Sequence, residues 1–146
     1  VREDFAKIGI SVQINPLEWS VYLQRLEDWD FDVCALGWGM GWDQDPFQIW
    51  HSSQADIKKS SNHIGFENAE VDKLIEEARP EFDLDKRKAL YHKLHQILHE
   101  EQPYTFLVTP EALIAQDKRF RNAKVYPLGM DINSFWVAPE DQKYRE

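Results

Sequence analysis

The chain has 146 residues, 42% of them apolar, which is enough for one domain with a real core. A net charge of −9 and a pI near 5.0 argue against nucleic acid and against an anionic membrane surface as partners, since both select a basic face. No run approaches the ~20 apolar residues of a membrane helix, no secretory leader is evident, and the single cysteine, Cys34, leaves no internal disulfide to form.

Residues 1–7 (VREDFAK) read as the last turns of a helix, with Gly9 near its C-terminal end, and suggest a piece cut from a longer protein. Ile10, Val12 and Ile14 alternate with Ser11 and Gln13, the period of a half-buried strand that Pro16 ends. Trp19, Tyr22, Leu23 and Leu26 follow the i, i+3, i+4, i+7 stripe of an amphipathic helix over 18–29. The apolar run 31–36 predicts a second, buried strand, with Cys34 as a small core residue. Strand, helix, strand suggests a βαβ unit.

After Leu36 the chain changes character. Gly37, Gly39 and Gly41 alternate with Trp38, Met40 and Trp42, and Asp43, Asp45, Pro46, Phe47 and Trp50 follow. Glycine lets a backbone approach something closely, and tryptophan offers a flat apolar face with one N–H donor. Four of the six tryptophans fall between Trp29 and Trp50, so the clustering is more informative than the total. Such a loop on the end of a core strand is where a ligand belongs. The alternative reading, a glycine-rich turn whose indoles fill the core, is about equally open on composition alone.

Further along, Asp43 or Asp45 is placed to cap a short helix from Pro46, and 52–61 read as a polar surface loop. Asn68 is a candidate N-cap for a helix with Val71, Leu74, Ile75 and Ala78 on its apolar face, closed by Pro80. Asp83 or Asp85 caps a longer helix to about Glu101, burying Leu90, Leu94, Ile97 and Leu98, and Pro103 stops it. Residues 104–108 (YTFLV) predict a strand, 112–115 a further short one, and the tail a mostly irregular course with a terminal strand near 134–137. The class is α/β.

Candidate chemistry is sparse. His92, His95 and His99 lie on one side of the long helix, and i, i+4 histidines can share a metal ion. They sit among Lys93, Gln96 and Glu100, however, without a further ligand at fixed spacing, so a solvated face is the better reading and no metal or cofactor is assigned. Asp43 and Asp45 invite a glycoside hydrolase reading, but i and i+2 carboxylates in a loop rarely face each other at the ~5–10 Å that chemistry uses. No Gly-x-Ser-x-Gly elbow or phosphate-binding Gly-x4-Gly-Lys loop occurs. The chain reads as non-catalytic.

The order of segments resembles the C-terminal lobe of the extracytoplasmic solute-binding proteins of the oligopeptide/dipeptide-binding family (family 5) of ABC transporters. The likeness is carried by Ile8-Gly9-Ile10-Ser11-Val12; by Phe31-Asp32-Val33, Gly37-Trp38 and Asp45-Pro46; by Asn62, Gly65-Phe66 and the stretch 68–78; and by 87–101 with Pro103-Tyr104. It runs from about Lys7 to Trp136, with Phe66 and Ala69 replacing the family's usual tyrosine and proline. No single motif is specific, but the ordered set is.

The resemblance implies a type II periplasmic-binding-protein fold, a mixed sheet flanked by helices, of which residues 1–146 form a single partial lobe. It implies capture of a peptide between two lobes for delivery to a membrane permease, with the missing N-terminal lobe as the other partner. The setting would be the periplasm or a cell-surface lipoprotein. Relatives in the family also take oligosaccharides, nickel complexes or haem. In peptide binders of the family an aspartate three residues after the Gly-Trp tryptophan pairs with the ligand's α-ammonium. That position is Gly41 here, and the loop is one residue longer, so the resemblance points to Asp43 by a shift. The implied ligand-binding set is Trp38, Gly39, Met40, Gly41, Trp42 and Asp43.

Overall fold

A computed structural model describes every residue except Met40, Trp42, Gln44, Leu128 and 144–146. The chain divides into two compact units, Val1–Tyr104 and Thr105–Glu146.

The first unit is helical. Helix α1 spans Arg2–Lys7 and is followed by Gly9 at φ +82°, the left-handed region where glycine terminates helices without a Cβ penalty. Helix α2 spans Trp19–Glu27, and Glu18 caps it by accepting from the Ser20 N–H at 2.8 Å. Of its predicted stripe only Leu26 is buried, while Trp19 and Leu23 stay exposed. Helix α3 is one turn, Phe47–Trp50, and Asp45 serves its start by accepting from the Phe47 N–H at 3.1 Å.

Helices α4 (Ala69–Ala78) and α5 (Leu84–Glu101) form the core. Asn68 accepts from the Glu70 and Val71 N–H groups, and Asp83 from those of Asp85 and Lys86, so each cap satisfies two of the orphan donors of its first turn. All four predicted stripe residues of α4, Val71, Leu74, Ile75 and Ala78, are buried. Val71, Leu74 and Ile75 pack with Leu94 and Leu98 of α5 and with Trp50 and Phe66. Phe47, Ile49 and Tyr104 pack against the cluster from outside, as do Leu90 and Ile97, which are only partly buried rather than buried as expected. Helix α5 ends on Gln102, left-handed at φ +47°, before Pro103.

Between η1 (Ser52–Gln54) and α4 the chain makes a tight bracket. The fully buried Asn62 side chain donates to the Phe66 carbonyl and accepts from the Phe66 N–H, both at 2.8 Å. Gly65, at φ +64°, supplies the left-handed turn inside it. The stretch predicted as a loop is thus partly pinned: Ala55 is buried, and the Ser60 hydroxyl donates to the Gln54 carbonyl at 2.7 Å.

The second unit carries two small antiparallel ladders. Strand β1 (Phe120–Arg121) pairs with β4 (Trp136–Val137) in the register Phe120 opposite Val137. Strand β2 (Val125–Tyr126) pairs with β3 (Gly129–Met130). Gly129 sits at φ +113°.

The α/β class holds, and the terminal strand near 134–137 is present as β4. The strands expected at 10–15, 31–36, 104–108 and 112–115 belong to no ladder among the described residues, so the βαβ unit is not formed among them either. A helix closes its hydrogen bonds within its own segment, whereas a strand exists only against a neighbour. Many apolar side chains of these stretches remain in water to match: Val33 is 88% exposed, and Phe106, Leu107, Val108 and Leu113 are exposed as well.

Candidate functional site

The glycine–tryptophan loop leaves the end of 31–36, where the Tyr22 hydroxyl donates to the Ala35 carbonyl at 2.7 Å and ties the segment to α2. The Trp38 ring lies nearly parallel to the His63 ring, with centroids 6.0 Å apart and planes 8° apart. Its side chain also hydrogen-bonds Tyr104, and an indole N–H can only donate. Trp38 is nonetheless 37% exposed, so it is neither swallowed by the core nor free of it. Burial pushes the Tyr104 hydroxyl up to about 12, with the nearby Cys34 adding to the shift and the Trp38 hydrogen bond opposing it. Burial likewise lowers the His63 pKa, against the pull of Glu27, and so favours the neutral ring in the stack.

Gly37 and Gly39 face open space: a Cβ on either would meet nothing within 4 Å, and neither adopts a left-handed φ. Their value is therefore an uncovered backbone rather than an unusual turn. Gly41 is exposed too. The expectations placed on Met40 and Trp42 lie outside the described residues.

Asp43 and Asp45 engage different cations. Each is drawn to its own arginine. Asp43 Oδ1 lies 3.2 Å from the Arg87 guanidinium of α5, and Asp45 Oδ2 lies 3.1 Å from Arg79 Nε, just past α4. The Arg79 guanidinium also sits over the Phe47 ring, 4.6 Å from its centroid, and Phe47 stacks on His51 at 4.3 Å. Tyr91, one turn beyond Arg87 on α5, feels all four charges. Its hydroxyl pKa is raised by burial first, then by Asp45 and Asp43, with Arg87 and Arg79 pulling the other way.

Buried beneath α3, His51 Nδ1 accepts from the Ser53 N–H at 3.1 Å, which leaves the ring proton on Nε2, 3.4 Å from Glu76. The Ser52 N–H donates to Asp72 at 2.7 Å. This set fastens the segment after α3 to α4. His92, His95 and His99 are all exposed on α5, and among the described residues no group of three or more His, Cys, Asp and Glu is arranged to hold a metal ion. No described helix is long and apolar enough to cross a membrane.

Sequence reasoning placed the loop but missed His63, Tyr104, Arg79 and Arg87, which hold it. They lie between 25 and 66 residues from Trp38 along the chain, and no local spacing links them to it.

No family model matches the chain. Among curated proteins it is 35% identical over 142 residues to the oligopeptide-binding protein AppA of Bacillus subtilis, covering 94% of this chain and 26% of that protein. It is 28% identical over 130 residues to the dipeptide-binding protein of Escherichia coli, covering 88% of this chain and 24% of the relative. Among solved structures, AppA in complex with a nonapeptide superposes with a TM-score of 0.79 at 35% identity, over 94% of this chain and 28% of that one. The periplasmic binding protein DppA of Helicobacter pylori, ABC transporter-associated and in complex with the peptide STSA, gives 0.64 at 30% identity over 70% of this chain and 21% of its own. The chain is therefore similar to oligopeptide- and dipeptide-binding proteins and spans about a quarter of the length of the relatives it matches.

Proposed function

We propose that this chain is the C-terminal part of a solute-binding protein of that family, which captures peptides between two lobes and delivers them to the membrane permease of an ABC importer. The observation that carries the reading is the likeness over 94% of the chain to a protein solved with a nonapeptide in place. On this reading residues 1–146 are a partial lobe, the rest of the clam-shell is supplied by sequence outside it, and the protein works outside the cytoplasm without catalysing a reaction. The unladdered segments 10–15 and 31–36 fit such a role, since their apolar side chains would gain cover from neighbouring strands of the complete lobe.

The loop 37–43 forms one wall of the ligand cleft in this reading. Trp38 offers a partly exposed indole face held firm from behind by His63 and Tyr104. Gly39 offers uncovered backbone, which can hydrogen-bond any peptide main chain regardless of its side chains, and Gly41 adds a second position without a side chain. Asp43 supplies the carboxylate for the α-ammonium. Met40 and Trp42 complete the wall. Lobe closure removes water, and the same hydrogen bonds then count for more than they do in bulk solvent.

Calorimetry on the full-length protein with di-, tri- and nonapeptides tests the proposal. Asp43→Asn is expected to lower affinity by roughly tenfold or more, since a hydrogen bond to a charged group contributes about 1.5–3 kcal/mol. Acetylating the peptide N-terminus should reproduce the loss in wild type and add nothing in the variant. Equal affinity of wild type and Asp43→Asn removes the ammonium pairing, and failure of all peptides to bind, with a sugar or metal complex co-purifying instead, removes the peptide assignment.

A further inference from the structure

We infer that Arg87 and Arg79 are positioning residues for the ligand loop, forming a two-point ionic latch that docks the Asp43–Asp45 segment onto the α4–α5 pair. The inference rests on the reading of 37–43 as a ligand wall.

Two aspartates two residues apart meet two arginines on different elements, at 3.2 Å and 3.1 Å. A single pair would leave the segment free to pivot, while two fix both its place and its rotation. The Arg79 end is braced further. Its guanidinium lies on Phe47, Phe47 lies on the buried His51, and Asp45 also receives the Phe47 N–H. The Arg87 end is the more enclosed of the two: Arg87 is 23% exposed, against 70% for its partner Asp43. The rigid member is thus the helix, and the loop carboxylate is the part being held. Tyr91, one turn beyond Arg87, feels all four of these charges.

Exposed ion pairs contribute little to global stability. The latch therefore acts on where the loop sits rather than on whether the unit folds. It also leaves the other side of the Asp43 carboxylate available: an ionised carboxylate has room for several donors, so it can receive a ligand ammonium while Arg87 holds it. Placement of a recognition group within a fraction of an ångström is what such support achieves.

The test uses the full-length protein, hydrogen exchange read by mass spectrometry over peptides covering 39–50, and calorimetry with tri-alanine. In Arg87→Met the loop amides exchange about tenfold faster, while exchange in α4 and α5 and the thermal midpoint stay at wild-type values. Raising salt to about 1 M, where screening acts within about 3 Å, moves wild type the same way. The charge swap Asp43→Arg with Arg87→Asp returns loop exchange to the wild-type rate but does not restore tri-alanine binding, because the carboxylate now sits on the helix. Should the swap not fold, Arg87→Lys decides the matter: exchange between wild type and Arg87→Met supports the latch, and exchange equal to Arg87→Met overturns it. Unchanged loop exchange in Arg87→Met, or a swap that folds and stays loose, also overturns it. If the loop follows the arginines while wild type binds no tri-alanine or any other peptide, the latch stands and the peptide reading falls. If tri-alanine binds and the loop ignores Arg87→Met and an Arg79→Met variant alike, the reverse holds.

Discussion

The α4–α5 pair and the stretch 31–43 draw on the same kinds of residue, aromatic and aliphatic side chains set among acids, and they end in opposite conditions. In the helix pair the four stripe residues of α4 and Leu94 and Leu98 of α5 are buried, Leu90 and Ile97 are partly covered, and each helix has its N-cap within the segment. In 31–43, Val33, Leu36 and Trp38 keep a large part of their surface in water. The difference is one of locality. A helix needs a partner only for its apolar face, and α4 and α5 are joined by five residues, so each is the other's partner. The stretch 31–43 needs partners for its backbone as well, and what it finds nearby is polar: the hydroxyls of Tyr22 and Tyr104, a histidine ring and the Arg87 guanidinium.

The comparison can be broken at its strong end first. Ile75 is fully buried in the centre of the helix pair, and Ile75→Ala should cost about 3–4 kcal/mol by deleting contacts and leaving a cavity. Chemical denaturation monitored by circular dichroism checks it, and a loss under about 1 kcal/mol would mean the pair is not the core of this unit. Asn62→Ala is expected to cost about 2 kcal/mol. It strands the Phe66 N–H and carbonyl without the side-chain amide that satisfies both. Asn62→Asp should cost nearly as much, because a carboxylate cannot donate to the carbonyl.

Alkaline pH gives a smaller effect. The Tyr104 hydroxyl is raised to about 12 in the folded chain and returns to about 10 on unfolding. Above pH 10 the unfolded chain releases a proton that the folded one retains, so stability falls as pH rises from about 10 towards 12. The part of the ring that meets water reduces the size of the loss. Tyr104→Phe should flatten that slope in denaturation curves, and an unchanged slope would count against a buried hydroxyl there. The weakest expected effect lies at the other end of the comparison. Val33→Ser should change the stability of this chain by less than about 0.5 kcal/mol, since the side chain is 88% exposed. The same substitution in the full-length protein should cost about 1–2 kcal/mol if the segment is a covered strand there. Equal, negligible costs in both would leave 31–36 an exposed segment and remove the strand from the proposed lobe.

What could be read from residues alone follows the same division. Helices α4 and α5, the cap at Asn68 and the buried stripe of α4 were legible because their causes lie within a dozen residues, while Asp83 was one of two candidate caps for α5. The loop was legible as a place, since no other stretch alternates glycine with large apolar residues. What holds it was not legible: Arg87 is 44 positions from Asp43, and Tyr104 is 66 from Trp38. The alternation in 10–15 and the apolar run 31–36 suggested strands without saying what would lie alongside. Asp45 capping the turn at Phe47 was one of two alternatives, and Asp43 is taken by Arg87 instead.

The bracket closed by Asn62 reaches further than its size suggests. By holding the Phe66 amide and carbonyl at once, one side chain does the work of a neighbouring strand and pushes the intervening residues outward, His63 first among them. His63 is the surface against which Trp38 rests. An amide sealed from solvent thus sets the seat of an indole that meets it, and the emission of Trp38 becomes an optical gauge for a substitution made at a position no ligand could touch.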